Sequence, residues 1–539
     1  MKKVLSLMVL VLSLLMCSCT DENDISHISL SEALIEIDAS SGSTSINIKA
    51  NCPWTASADV SWLKVTPAKG TGDAVLNCEW TANTEPQQRT ATITVQSGDV
   101  IKTTRVVQSF SIQPQVVSCR GVIGNLMKNE ESYFEITFDQ PVSAESVDLD
   151  RYSPSSGPKY SNNNKTIHYD FKSARLGQDL ACKVRVRNDS GIAYNYDVNI
   201  PFYQKKFLVE GGLMYALLSE DKQSVWVTTA EPNRLIQLSL DDGHVMHNIE
   251  LSFVPRHICY NPYNKKIYVL PVNANYEYNN SLCVVDPVSG RIDETITFDP
   301  APDAHPQHPT IYPYDLQFTN DGFGIVLLRE RSGTLLEWRY IDGANNNQLS
   351  LSGYRWYEKI FEELYRSYDG NKIWANKYPA DYTTIYSVSR NEPIPKEYAI
   401  HGKFRSDEFY AGGRLVDMQF SPFGNKVFIS AAPRSVCVVD LDTDTYSVVI
   451  MGDARDSKAA WDCTSSSRSL VYHVCGCNHM FLLLDMERGE PIFYNYHIWS
   501  DYYNKPCNVY HLPASDQLMI TAWNGIYLFD ASVMKKERP

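Results

Sequence analysis

At 539 residues the chain is too long for one hydrophobic core and divides into about three domains. Its net charge of -14 and pI near 5.4 argue against a nucleic-acid backbone as partner, because no basic stripe exists to displace counterions. Aromatic residues make up 12%, and most are expected simply to pack sheets. Of the 13 cysteines, Cys283 and Cys437 fall in apolar strand runs, where cysteine acts as a small hydrophobe. Cys475-Gly476-Cys477 is a CxC with no second pair nearby, which is not zinc-site spacing. Neither a cofactor nor a metal is expected.

The chain opens with Lys2-Lys3 and an apolar run to Met16, too short to span a bilayer comfortably, which reads as a secretory signal over 1–18. The run ends Met16-Cys17-Ser18-Cys19, which resembles the bacterial lipobox with Met16 in place of the usual Leu. The resemblance implies acylation of Cys19 and a lipid anchor in the outer membrane without a spanning helix. The acidic run over 19–25, with Asp21, Glu22 and Asp24, resembles the tag that sends Bacteroidetes lipoproteins to the cell surface.

Residues 26–110 alternate apolar and polar in short runs such as Ser45–Lys49 and Ala91–Val95, the pattern of a β-sandwich. Asn51-Cys52-Pro53-Trp54, Trp62-Leu63-Lys64-Val65-Thr66-Pro67, Gly70, Gly72, Asn83, the segment from Arg89 and Val107-Gln108 together resemble a BACON domain. The family name implies carbohydrate, yet Trp54 and Trp62 sit inside apolar runs and are expected to pack the sandwich of a spacer. Cys52 and Cys78 are a candidate disulfide in an oxidising compartment.

Over 112–204, Phe134–Val142 alternates as a strand and stops at Pro141, and Thr166–Phe171 and Cys182–Arg187 alternate likewise. Ile136-Thr137-Phe138-Asp139-Gln140-Pro141 resembles bacterial Ig-like domains, and a second spacer is expected. Cys119 and Cys182 are a second candidate disulfide.

From 206 to 539 one pattern recurs about seven times: an apolar run, a Pro/Asp/Gly/Asn turn and a second apolar run, as in Met418–Ser430 and Leu316–Leu327. Two further strands follow each hairpin, so four strands repeat every ~40–55 residues, which predicts a β-propeller. The blades begin near Leu213, Pro255, Pro313, Phe361, Arg414, Ala459 and Pro506, with Lys206-Phe207-Leu208 free to close the ring in the last sheet. Val285-Asp286-Pro287-Val288-Ser289-Gly290 makes the stretch similar to YVTN-type propellers, although no Tyr-Val-Thr-Asn occurs. The fold class is therefore all-β: two N-terminal β-sandwiches, then a seven-bladed β-propeller.

The loops entering each blade, and those between second and third strands, are long and share one face, where binding is expected. They carry Arg331, Trp356, Tyr357, Tyr378, Tyr382, Trp499, Tyr502 and Trp523. Flat rings stack on pyranose C–H faces while charged and amide groups bind hydroxyls. Ten residues before each second strand lie Tyr215, His257, Asp315, Glu363, Asp417 and Asn508, with blade six open between Ala460 and Asp462. That position opens the innermost strand, so a polar ring is expected at the mouth of the central channel. No HExxH, Walker or GxSxG signature stands at a suitable place, and no catalytic residue is assigned.

The resemblances together imply a cell-surface lipoprotein whose propeller binds an oligo- or polysaccharide, in a capture and import system that includes a transporter. The alternatives are a propeller lyase, glycoside hydrolase or lactonase using His257, Asp315 or Asp417, or a protein-interaction scaffold.

Overall fold

The structure, a computed structural model, describes residues 26–535 except 86, 150–151, 173–178, 273–278, 300–310, 331–334, 352–360, 378–380, 400–413, 433–434, 444, 451–456, 465–469, 476–479 and 496–505. Strands dominate it; the helical elements among the described residues are one 3-10 turn, Leu126–Lys128, and the short helix Ser532–Lys535.

The first sandwich packs a four-stranded sheet on a five-stranded one. Strict alternation supplies its core: Ala91, Ile93 and Val95 of Arg89–Ser97 turn inward against Ile46, Ile48 and Leu76. Trp54 is 2% exposed, with its indole N–H donating to the Gly72 carbonyl at 2.9 Å. Trp62 is half-buried under the Arg89 guanidinium, 4.4 Å from its ring centroid. Both tryptophans thus hold the sandwich together. Cys52 and Cys78 lie in this core as free thiols, as do Cys119 and Cys182 in the second sandwich.

In the second sandwich, a four-stranded sheet faces a three-stranded one, and Leu180–Asn188 alternates buried and exposed along its whole length. Its far end is not solvated. Ile123, Phe202 and Ile200 belong to one continuous apolar core with Phe493, Leu518 and Tyr527 of the propeller. Polar contacts reinforce the seam: Asn125 Nδ2 donates to the Ile492 carbonyl at 2.8 Å and Asn495 Nδ2 to the Gly124 carbonyl at 2.8 Å. The segment expected as a mere spacer is therefore fused to the wall of the propeller.

Seven four-stranded antiparallel sheets follow. Their innermost strands are Leu213–Leu218, Pro255–Asn261, Ile311–Phe318, Phe361–Arg366, Arg414–Phe420, Ser457–Trp461 and Pro506–Leu512. Each touches the next, and the seventh touches the first, so the ring is closed. Blade seven is completed from the other end of the ring: Lys205–Leu208 pairs antiparallel with Gly525–Asp530, Lys205 opposite Leu528 and Leu208 opposite Gly525. On the face away from the long loops the turns satisfy themselves. Ser219 Oγ donates to Asp221 at 2.6 Å, Ser367 Oγ to Asp369 at 2.6 Å, and Asp286 and Asp440 accept amides two and three residues on.

Candidate functional site

Of the residues expected to bind ligand, Arg331, Trp356, Tyr357, Tyr378, Trp499 and Tyr502 lie outside the described residues, as does Cys19. Tyr382 falls on the strand Asp381–Val388, with its side chain outside what is described. Trp523 is described, and its setting is specific. It forms, with Asn524, the two-residue turn between Gln517–Ala522 and Gly525–Asp530. The Leu213 amide donates to the Trp523 carbonyl at 2.8 Å, and the Val209 amide to that of Asn524 at 3.2 Å. Gly211 and Gly212, at φ of 88° and 73°, thread between the Glu231 carbonyl and the indole. A Cβ on Gly212 would lie 2.3 Å from the Trp523 ring, so only glycine lets the backbone back the indole so closely. Trp523 as a whole nevertheless stays 46% exposed.

The ring positions share one local cause. In five of the seven innermost strands a register shift falls just before the ring position, placing a bulge at Met214, Arg256, Tyr314, Val416 and Cys507, and in blade four the shift spans Glu362 and the ring residue Glu363. A bulge re-aims the following side chain and bends the strand. In blades three, five and seven the re-aimed side chain bonds to the neighbouring blade. Asp315 Oδ2 accepts the Leu364 amide of blade four at 2.8 Å, while its Oδ1 accepts its own Leu316 amide at 2.8 Å. Asp417 Oδ2 accepts the Ala459 amide of blade six at 2.8 Å, and Asn508 Oδ1 the Ala216 amide of blade one at 3.0 Å. Glu363 takes the Tyr365 hydroxyl at 2.7 Å, and Tyr215 packs tilted on the His257 ring, centroids 4.4 Å apart.

Blade six corrects the sequence reading. Its inner strand Ser457–Trp461 pairs without a shift and leads into a longer connection, so counting back from the second strand misplaces the ring residue. In blades one and four the amide gripped by the preceding blade belongs to the residue after the ring position. By that rule the grip on Ala459 assigns Lys458, not Ala460 or Asp462. Asp462 lies elsewhere, beyond the far end of the strand. It shares a partly buried cluster with His511, Asp516 and Lys535, whose ammonium is 2.6 Å from Asp462 Oδ2 and 2.6 Å from Asp516 Oδ1. Among the described residues this is the one carboxylate–histidine group compact enough for a metal, and the tethered lysine already supplies its cation.

Burial governs the electrostatics of the mouth. Asp315 is 7% exposed, and burial pushes its carboxyl up to about 6 against the opposing pull of the Leu364 amide and Arg256. Burial, then Arg256, pushes His257 down to about 3. His257 Nε2 stands 3.3 Å from Asp315 Oδ1, close but out of line for a hydrogen bond. Burial likewise raises the Asp417 carboxyl. Asp315 and Asp417 already commit oxygens to amides of neighbouring blades.

Residues 24–111 match the family described as viral BACON domain. No curated protein matches the chain. Among solved structures, hydrazine synthase of Kuenenia stuttgartiensis is 12% identical, covering 61% of this chain and 99% of its own at a TM-score of 0.45. A putative 6-phosphogluconolactonase of Bacteroides fragilis is 13% identical, covering 58% and 93% at 0.35. A Bacteroides ovatus GH5 xyloglucanase, in complex with a XXXG heptasaccharide, is 28% identical over 16% of this chain and 19% of its own, at 0.15. These are likenesses of shape and bring no activity with them.

Proposed function

We propose that the protein is a lipid-anchored outer-membrane protein, displayed at the cell surface, that binds carbohydrate on the loop face of its propeller for polysaccharide capture. The observation that carries this reading is Trp523, a residue 46% exposed whose indole is backed by Gly212 on one side. An aromatic ring held still by backbone and open to solvent is what a pyranose face stacks on, and the immobilised ring gives up little entropy on binding. The match of residues 24–111 to a BACON domain supports a carbohydrate-related surface role. Commitment of the Asp315 and Asp417 oxygens to neighbouring amides favours binding over acid–base turnover.

The test is binding of the full chain to a panel of polysaccharides, with each mixture assayed for products. Retention without cleavage is expected, and Trp523→Ala should weaken it by about 1–2 kcal/mol, roughly five- to thirtyfold. Cleavage products would move the assignment to a glycan-active enzyme. Retention unaffected by Trp523→Ala would remove the indole from the site.

A further inference from the structure

We infer that the channel mouth holds an oxyanion subsite, formed by Arg256 and Arg329 on the ring of Tyr314, that takes the carboxylate or sulfate of an acidic saccharide. The inference rests on the carbohydrate reading and names its substrate class. Arg256 and Tyr314 occupy the bulges of blades two and three, and Arg329 lies one residue from the loop-face end of Phe323–Glu330. The three residues therefore meet where the inner strands begin, on the long-loop face.

Tyr314 is 6% exposed, and the guanidinium carbons of Arg256 and Arg329 stand 3.6 Å and 3.3 Å from its ring centroid. Two guanidiniums at that height cannot share one face, so the ring is clasped between them. Face-on stacking fixes the plane of each guanidinium while leaving its edge N–H groups to point outward as donors.

Among the described residues those donors make no salt bridge, although both guanidiniums act on the Asp315 carboxyl at longer range. Neither guanidinium has a carboxylate or hydrogen-bond partner among the described residues, and Arg329 Nε is buried without an acceptor. Elsewhere Arg339 is bonded to Glu337, Arg390 to Asp321 and Asp342, and Arg185 and Arg187 to Glu145, while Arg234 Nε and Arg366 Nε are likewise buried without an acceptor. The nearest acids are engaged, Asp315 by two amides and Glu363 by Tyr365. Lys458 adds a third cation near enough to act on His257 and Asp417. Partly buried, unpaired cations are costly, and an oxyanion that accepts from a guanidinium edge relieves the cost through paired, charge-assisted hydrogen bonds.

The test measures binding of oligogalacturonate, its carboxyl-reduced neutral counterpart, a sulfated oligosaccharide and inorganic sulfate to the full chain by calorimetry and thermal shift. The acidic saccharides should bind roughly tenfold or more tightly than the neutral one, and Arg256→Gln with Arg329→Gln should abolish that margin while leaving neutral binding in place. Equal affinity for acidic and neutral saccharides overturns the inference, as does a margin that survives the double change. Should the double variant fail to fold, Arg329→Lys keeps the charge but removes the fork, and an unaltered margin in it also overturns the inference. Tighter binding of galacturonate than of the sulfated saccharide assigns a carboxylate, and the reverse a sulfate. If no saccharide binds but sulfate raises the melting temperature of the native chain and not of the double variant, the anion site stands and the carbohydrate reading falls. If sulfate is also without effect, both fall.

Discussion

Asp315 sits in the inner wall of the propeller with one oxygen on its own strand's amide and the other on that of blade four. Its folded-state pKa, raised by burial to about 6, lies above the ~3.9 of an unfolded aspartate. Such a group binds its proton more tightly when folded. Its contribution to stability is full below about pH 4 and is lost as the pH rises through about 6. Asp315→Asn keeps the shape but offers one acceptor in place of two, at a cost of about 1–3 kcal/mol. Urea denaturation should therefore show the native chain more stable than the variant at pH 5, by a margin that shrinks at pH 7. A margin independent of pH would mean that Asp315 titrates like an exposed carboxylate. His257, Asp315, Asp417 and Asn508 could be found by counting, because bulge and turn lengths repeat in their blades. Lys458 could not, since its strand lacks the bulge. Nor could the clasp of Tyr314, whose two arginines come from different strands and follow no periodicity.

Strands and turns were the most legible level. Apolar alternation and Asp, Asn and Gly turns are local features, and the side chains that close those turns are a few residues from the amides they accept. The blade starts expected at Leu213, Pro255, Phe361, Arg414 and Pro506 coincide with strand starts, and those near Pro313 and Ala459 fall two residues inside theirs. The closing strand was visible as an apolar run with no partner of its own. Its importance is open to test. Phe207 stands opposite Ile526 and packs against the core shared by blades one and seven. Proline there removes both the ring and a strand-compatible backbone, leaving the edge of Gly525–Asp530 bare. Phe207→Pro should cost ~2–4 kcal/mol and produce concentration-dependent association, followed by thermal melts and light scattering. A variant as stable and monomeric as the native chain would show that the ring closes without this strand.

At the scale of the whole molecule, the two sandwiches differ in how they are attached. The second shares a core with blades six and seven, joined by groups as distant in sequence as Gly124 and Asn495, 371 residues apart. No sequence pattern foreshadows such a seam, because a buried asparagine on a strand edge reads like any polar residue. Toward the first sandwich, Ser111, Ile112 and Pro114 bond to Asn188, Tyr194 and Tyr196, while Phe110 is 47% exposed. Limited chymotrypsin digestion should cut near Phe110, release the first sandwich and leave the second joined to the propeller as one fragment. Early separation of the second sandwich would contradict the shared core.

Blade seven draws one strand from Lys205–Leu208 and three from the segment after Pro506, which sets an order on biosynthesis. A chain emerging N-terminus first makes the closing strand before any blade, and then synthesises some 300 residues before its partner arrives. Until then no ring exists, however many blades have folded. Every prematurely terminated chain is left with an unfinished circle, which gives quality control a simple mark separating complete molecules from incomplete ones.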